Sequence, residues 1–336
     1  MRTTVYRLTL LTAVFMLMAS CSMNRKRELT IYVGLYEDHA IKVIESFQKE
    51  TGIKVSYVSL SNGEIFNRIR AEREKPGSSV WFGGPSETFI HARKEGLLRS
   101  YFSKNAEFID TQYKDRQGYW TGIYVGSIAF VSNKAWLQEN GLAYPHSWED
   151  LLKPQYKGMI TMPDPRTSGT GYTILGTLVQ LLGEDEAFLY LEKLHEQVNS
   201  YPTSGSVPGR YVGSGQAGAA IMFSHDAVKF YKEGFHDIFV SFPEEGTGYE
   251  IGAVAIIKGA PQLEEAKLFV DWVLKREIQE LGKKVGNFQI PTNREALPPD
   301  EAYHLEDLNV IQFDHQWAGE NRERLLKRWV KEVLKK

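Results

Sequence analysis

The sequence predicts an α/β protein with two lobes. Three observations predict it. The chain has 336 residues, more than one hydrophobic core usually serves, so two lobes of ordinary size are expected. From residue 29 onward short apolar runs alternate with amphipathic stretches, which is the sequence form of a doubly wound sheet. The loops that follow the apolar runs are rich in Ser, Thr, Gly, Asn and Asp, as expected of a ligand crevice at the carboxyl ends of strands.

The elements follow in order. LTIYVGLY (29–36) reads as a buried parallel strand. HAIKVIESFQKETG (39–52) places Ile41, Ile44 and Phe47 at helical spacing and stops at Gly52. IKVSYVSL (53–60) is a second strand, NGEIFNRIRAEREKPG (62–77) a second helix, SSVWFGG (78–84) a third strand and ETFIHARKEGLL (87–98) a third helix. GIYVGSIAFVSN (122–133) is strand-like and interrupted by glycine, and KGMITMPDP (157–165) is a strand and turn. Helices follow in TGYTILGTLVQLLG and EDEAFLYLEKLHEQV, a small-residue strand in QAGAAIMF (216–223) and a helix in DAVKFYKEG. DIFVSF and YEIGAVAIIKG (249–259) are strands, and the tail is helical. The crevice loops are then LYED (35–38), SLSNGE (59–64), GGPSE (83–87), PDPRTSGTG (163–171) and FSHDA (223–227).

Composition narrows the function. Hydrophobic residues make up 42% and charged residues 24%, a globular profile. The net charge of -2 excludes a nucleic-acid binder that relies on a strongly basic face. No apolar stretch in the body of the chain is long enough to span a bilayer. The N-terminus differs. Arg2 and Arg7 precede LTLLTAVFMLMA, then ASC and the basic SMNRKRE, which is the order of a secretory signal. MASC resembles a bacterial lipobox, with Met18 where leucine is usual. The expectation is a signal peptide over 1–20, lipidation at Cys21 and an anchored linker over 21–28, placing the protein outside the cytoplasm on a membrane surface. Cys21 is the only cysteine, so no internal disulfide is expected.

DPRTSGTGYT (164–173) carries the sharpest local signal. Thr167, Ser168 and Thr170 fall at a predicted helix start, where unpaired amides and the helix dipole favour an anion, and Gly169 allows close approach. A helix cap needs only one hydroxyl. The stretch is not a nucleotide P-loop, because no Lys follows the glycine in the required position. A catalyst is not evident: G-x-S-x-G and H-E-x-x-H are absent, and the sole cysteine precedes the mature body. His225-Asp226 is the one histidine–carboxylate neighbour at a strand end, and it suits a polar ligand better than a dyad.

Four stretches together resemble the periplasmic solute-binding proteins of ABC importers, in the iron(III)-type group that also holds organophosphate binders. They are SLSNGEIFNRIRAEREKPGSSVWFGGPSE, PDPRTSGTGYT, TSGSVPGRYVGSGQAGAAIMFSHDA and FPEEGTGYEIGAVAIIKGAP. The resemblance implies a clamshell of two lobes, each a mostly parallel sheet flanked by helices, with two hinge crossovers near Tyr124–Ser127 and Gly252–Ala255. Lobe one would comprise 29–125 and 256–336, and lobe two 126–255. It further implies a small-molecule ligand, an ABC permease as partner, no cofactor and no catalysis.

Ferric binders of this group typically use adjacent tyrosines, and none of the 17 tyrosines here is followed by another. His225, Asp226 and Glu250 resemble the sugar-facing side of the hexose-phosphate binders, joined by Tyr36, Tyr124 and Ser206. Ser61, Asn62, Gly63, Gly84, Thr167, Ser168, Gly169 and Thr170 resemble the phosphate-facing side. The expected function is a lipoprotein that binds a sugar phosphate. Ferric-ion or aminophosphonate binding, an exported phosphatase and a receptor's sensing subunit are the alternatives.

Overall fold

The computed structural model describes residues 27–335. The expected leader and the lipidation at Cys21 lie outside the described residues. The first lobe starts with β1 (Glu28–Val33), α1 (Glu37–Thr51), β2 (Lys54–Ser59), α2 (Asn62–Ala71), β3 (Val80–Pro85) and α3 (Ser86–Lys94). β1 pairs in parallel with β2 and with β3, so the helices return the chain across the sheet as expected. In α1 the residues Ala40, Val43, Ile44 and Phe47 are buried, one stripe at helical spacing. Gly52 ends the helix in the left-handed conformation, at φ 68°. The rest of this lobe is β4 (Leu98–Arg99) and several late elements.

β5 (Thr121–Asn133) is a single strand of 13 residues, all of them buried. Its first half pairs with β10 (Tyr249–Ile257) and β11 (Ile290–Pro291), and its second half with β8 (Ala219–Phe223) and β9 (Ile238–Ser241). It therefore runs out of one sheet and into the other. β10 comes back beside it, antiparallel, and then pairs with β3 and β4. In the second lobe α4 (Lys134–Glu139) leads to β6 (Ile160–Thr161), α5 (Gly169–Leu182), α6 (Glu184–Gln197), β7 (Val198–Ser200) and α7 (Val207–Gly213). α8 (Ser224–Lys232) follows β8 directly. β6 pairs in parallel with β7 and β8.

The sheets are mixed rather than mostly parallel. The physical reason is the pair of crossing strands. β5 and β10 enter the two sheets in opposite directions, and every pairing that either makes is antiparallel.

α9 (Leu263–Val273) and α10 (Arg276–Gln279) pack on the first lobe, whose core includes Phe47, Phe82, Phe269 and Trp272. The tail departs from the expected division. Phe313 and, from α11 (His315–Arg328) and the turn after it, Ala318, Leu325, Trp329 and Val333 belong to the core of the second lobe, with Phe130, Trp148, Tyr172 and Phe188. Burying a large apolar side chain contributes about 1.5–3 kcal/mol, so this apolar stripe holds the tail there. α11 touches the first lobe as well: a Cβ built on Gly319 would come within 2.5 Å of Ile90 on α3.

Candidate ligand-binding site

The carboxyl ends of the strands open onto a cavity of about 430 Å³ between the lobes. The starts of α1, α2, α3, α5 and α8 all reach it, through Tyr36 and Glu37, Ser61 and Asn62, Gly84 and Pro85, Ser168 to Thr170, and Phe223, His225 and Asp226. Each helix start leaves amides without an intrahelical acceptor and carries partial positive charge. Among the described residues the lining includes no Lys or Arg, and its carboxylates are Glu37, Glu64, Asp226 and Glu250. An anion here would be held by amides and neutral donors.

At one end Asn62 is the central donor. The Trp81 indole N–H donates to Asn62 Oδ1 at 3.2 Å, which fixes the amide with Nδ2 on the other side. Nδ2 then lies between Gly84 and Gly169: Cβ atoms built there would come within 1.8 and 3.0 Å of it. Ser168 caps α5, its Oγ accepting from Gly171 N at 3.3 Å. Gly205 packs so tightly on Thr170 that a Cβ there would meet Thr170 Oγ1 at 2.0 Å. The loop Thr203–Ser206 thus closes this end, and all four of its residues line the cavity.

The expected anion ligands Gly63 and Thr167 are used elsewhere. Gly63 N donates to the Thr167 carbonyl at 2.9 Å, joining α2 to the 163–171 loop. The Thr167 hydroxyl donates to the Thr203 carbonyl at 3.3 Å. Neither residue lines the cavity, because this contact between the lobes turns them toward each other. Ser61 lines it, but its hydroxyl donates to Glu64 Oε2 at 2.6 Å. On the other rim Lys229 on α8 meets Asp38 on α1 at 2.7 Å. The lobes are therefore in contact on both sides of the cavity.

The opposite end gathers His225, Asp226, Glu250, Tyr36 and Tyr124. His225 Nε2 lies 3.1 Å from Asp226 Oδ1 and 3.7 Å from Glu250 Oε1. Glycines make the room: Cβ atoms on Gly126 and Gly252 would strike the His225 and Tyr124 rings at 2.3 and 2.0 Å. Burial, then the Asp226 and Glu87 charges, push the Glu250 carboxyl well above its ordinary range. Burial, then Glu250, does the same to the Tyr124 phenol, whose oxygen accepts from Gly84 N at 3.1 Å. Burial, then Asp226, raises the Tyr36 phenol, whose oxygen is buried without a partner. Ser206 lines the cavity between the two ends.

Sequence reasoning missed Gln289, Thr203 and Ser204, which also line the cavity. A signal for Gln289 was present. In NFQ, Asn287 and Gln289 alternate around Phe288, so an extended backbone puts both on one face.

The fold and the cavity define a two-lobed binding protein, and the chain belongs to the family of bacterial extracellular solute-binding proteins, whose model matches residues 86–314. It is 36% identical over 325 residues to an uncharacterized protein of Haemophilus influenzae, covering 94% of each chain. Its structure is similar to that of the periplasmic binding protein AfuA from Actinobacillus pleuropneumoniae with fructose-6-phosphate bound. The TM-score is 0.89 and the identity 35%, over 92% of this chain and 99% of that one. Iron-bound HitA from Pseudomonas aeruginosa shares the fold, with a TM-score of 0.78 and 20% identity over 90% of this chain and 98% of that one.

Proposed function

We propose that this protein captures a small phosphorylated organic solute, best a sugar phosphate, between its lobes and delivers it to an ABC permease. The carrying observation is the two-ended cavity. The starts of α2, α3 and α5 and the oriented Asn62 amide supply donors at one end, while His225, Asp226 and Glu250 supply polar acceptors at the other. Phosphate suits the first, since helix starts bind anions without a cation. Sugar hydroxyls suit the second, since a hydroxyl both donates and accepts. The bound sugar phosphate of AfuA supports the same reading. The lobes, divided at the crossings of β5 and β10, close on the ligand by hinge motion, and ligand that bridges them favours the closed form. Lipidation at Cys21 would keep the protein at the membrane that holds the permease.

Other ligands of the family fit less well. The ammonium of an aminophosphonate is best served by a pair of ionised carboxylates. Burial and the Asp226 charge push the Glu250 carboxyl well above its ordinary range, which suits a hydroxyl better than an ammonium. Ferric ion needs phenolates, and burial holds Tyr36 and Tyr124 as phenols. A hydrolase would need an activated nucleophile, and no such group is identified among the cavity residues.

Titration calorimetry with fructose 6-phosphate, fructose, inorganic phosphate, 2-aminoethylphosphonate and ferric citrate tests the proposal. Fructose 6-phosphate is expected to bind at least a hundredfold more tightly than fructose or phosphate alone. Equal binding of fructose, or a coloured stoichiometric ferric complex, would overturn it.

A further inference from the structure

Four buried side chains form one hydrogen-bonded chain that ends in the cavity. His39 Nδ1 on α1 lies 2.7 Å from Asn287 Nδ2. The same amide nitrogen donates to Gln289 Oε1 at 2.8 Å. Gln289 Nε2 lies 3.3 Å from His225 Nε2 on α8, across the cavity. None of the four is more than 9% exposed, so solvent cannot substitute for a wrongly turned amide.

An amide side chain has a donor end and an acceptor end, and its neighbours decide which way it faces. Here a main-chain group decides. The backbone N–H of Gln289 can only donate, and it donates to Asn287 Oδ1 at 3.2 Å. Asn287 therefore turns Nδ2 toward His39 and toward the Gln289 side chain. Facing a donor, Gln289 turns Oε1 to Asn287, and its NH2 group faces His225 and the cavity. At the far end His39 Nδ1 must accept, so the ring proton sits on Nε2. Burial lowers the pKa of His39 to about 4, which keeps the ring neutral as this bond requires.

We propose that Asn287 is a positioning residue that fixes Gln289 as a hydrogen-bond donor at the carboxylate end of the cavity, and that Gln289 thereby selects a ligand oxygen there. The proposal rests on the reading that the organic part of the ligand occupies this end. A hydroxyl can accept from Gln289 and donate to Asp226 at once. An ammonium can only donate, and it would meet the Gln289 NH2 group as a second donor.

The test combines two variants with two readouts. Asn287→Asp keeps an acceptor for the Gln289 backbone but loses the donor. Gln289 should then turn its NH2 group inward and present oxygen to the cavity, and His39 should carry a proton on Nδ1. Gln289→Glu presents an acceptor to the cavity while leaving Asn287 and His39 as they are. Long-range proton–nitrogen spectra of the imidazoles at neutral pH read the His39 tautomer. Calorimetry with fructose 6-phosphate and with inorganic phosphate reads binding. Wild type should show His39 protonated on Nε2, Asn287→Asp should show it protonated on Nδ1, and Gln289→Glu should match wild type. Both variants should bind fructose 6-phosphate about tenfold more weakly or worse, with phosphate binding unchanged. A wild-type His39 protonated on Nδ1 would overturn the orientation. Wild-type affinity for fructose 6-phosphate in both variants would overturn the selection. If wild type binds neither compound, the ligand reading fails and the selecting role with it, while the His39 tautomer still decides the orientation.

Discussion

Gly84→Ala is expected to remove most binding of a phosphorylated ligand and to lower stability as well. Gly84 has φ 105°, a conformation that a residue with a Cβ adopts at a cost of about 1–3 kcal/mol. The added Cβ would also lie 1.8 Å from Asn62 Nδ2 and 2.0 Å from its Oδ1. Asn62 cannot swing aside without giving up the Trp81 hydrogen bond. The donor proposed to hold the anion is therefore expected to be displaced. A hydrogen bond to a charged group is worth about 1.5–3 kcal/mol net, so affinity should fall by roughly ten- to a hundredfold or more. Gly52→Ala is the control. It has φ 68° and no atom within 4 Å of the new Cβ, so it should lower the melting temperature and leave affinity unchanged. Calorimetry and melting curves of the three proteins measure both effects. Full affinity in Gly84→Ala would mean that Asn62 does not hold the anion.

The second large effect separates the charge of Glu250 from its shape. Its carboxyl is buried and its pKa is pushed well above the ordinary range, which favours the protonated form, and Glu250→Gln preserves the size and both hydrogen-bonding roles of that form. It should bind fructose 6-phosphate within a few-fold of wild type. Glu250→Leu leaves the ligand's hydroxyl unpaired, and should weaken binding by about tenfold to a hundredfold, at about 1–3 kcal/mol for an unsatisfied buried group. Stability reports the same proton. The folded-state pKa is raised, so above the ordinary value of 4.5 the unfolded chain loses a proton that the folded chain keeps. The stabilisation is fully present below that value and is lost as pH rises toward the folded-state pKa. Glu250→Gln does not titrate. Its melting temperature should rise relative to wild type as pH increases from 4.5 to 7. Parallel pH profiles would show that Glu250 is ionised in the folded protein, and the argument against an ammonium ligand would fall.

Much of this arrangement was legible in the sequence, for local reasons. The opening strand–helix alternation shows in hydrophobic period, and Gly52 shows as a stop because only glycine ends a helix cheaply in that conformation. The crevice loops were legible because helix starts favour Ser, Asn and Gly, and most of the residues expected there line the cavity. What escaped depends on contacts distant in the chain. β5 reads as an ordinary strand, and nothing local says that it serves two sheets. Gly63 and Thr167 look like anion ligands, yet the Gly63 amide is spent on the Thr167 carbonyl across the lobes and the Thr167 hydroxyl on the Thr203 carbonyl. The tail helix is amphipathic, but its pattern does not say which lobe it covers. Gln289 acquires its role only through Asn287 and His39, the latter 248 residues away along the chain from Asn287.

Native mass spectrometry of the protein as purified from its own cells tests the central claim most directly, because lobes that touch on both sides of a bound solute retain it. The account predicts one bound molecule per chain. On activation it should leave as an anion that contains a single phosphoryl group on a polyhydroxylated carbon skeleton. A bound iron ion, or an organic molecule without phosphorus, would contradict it.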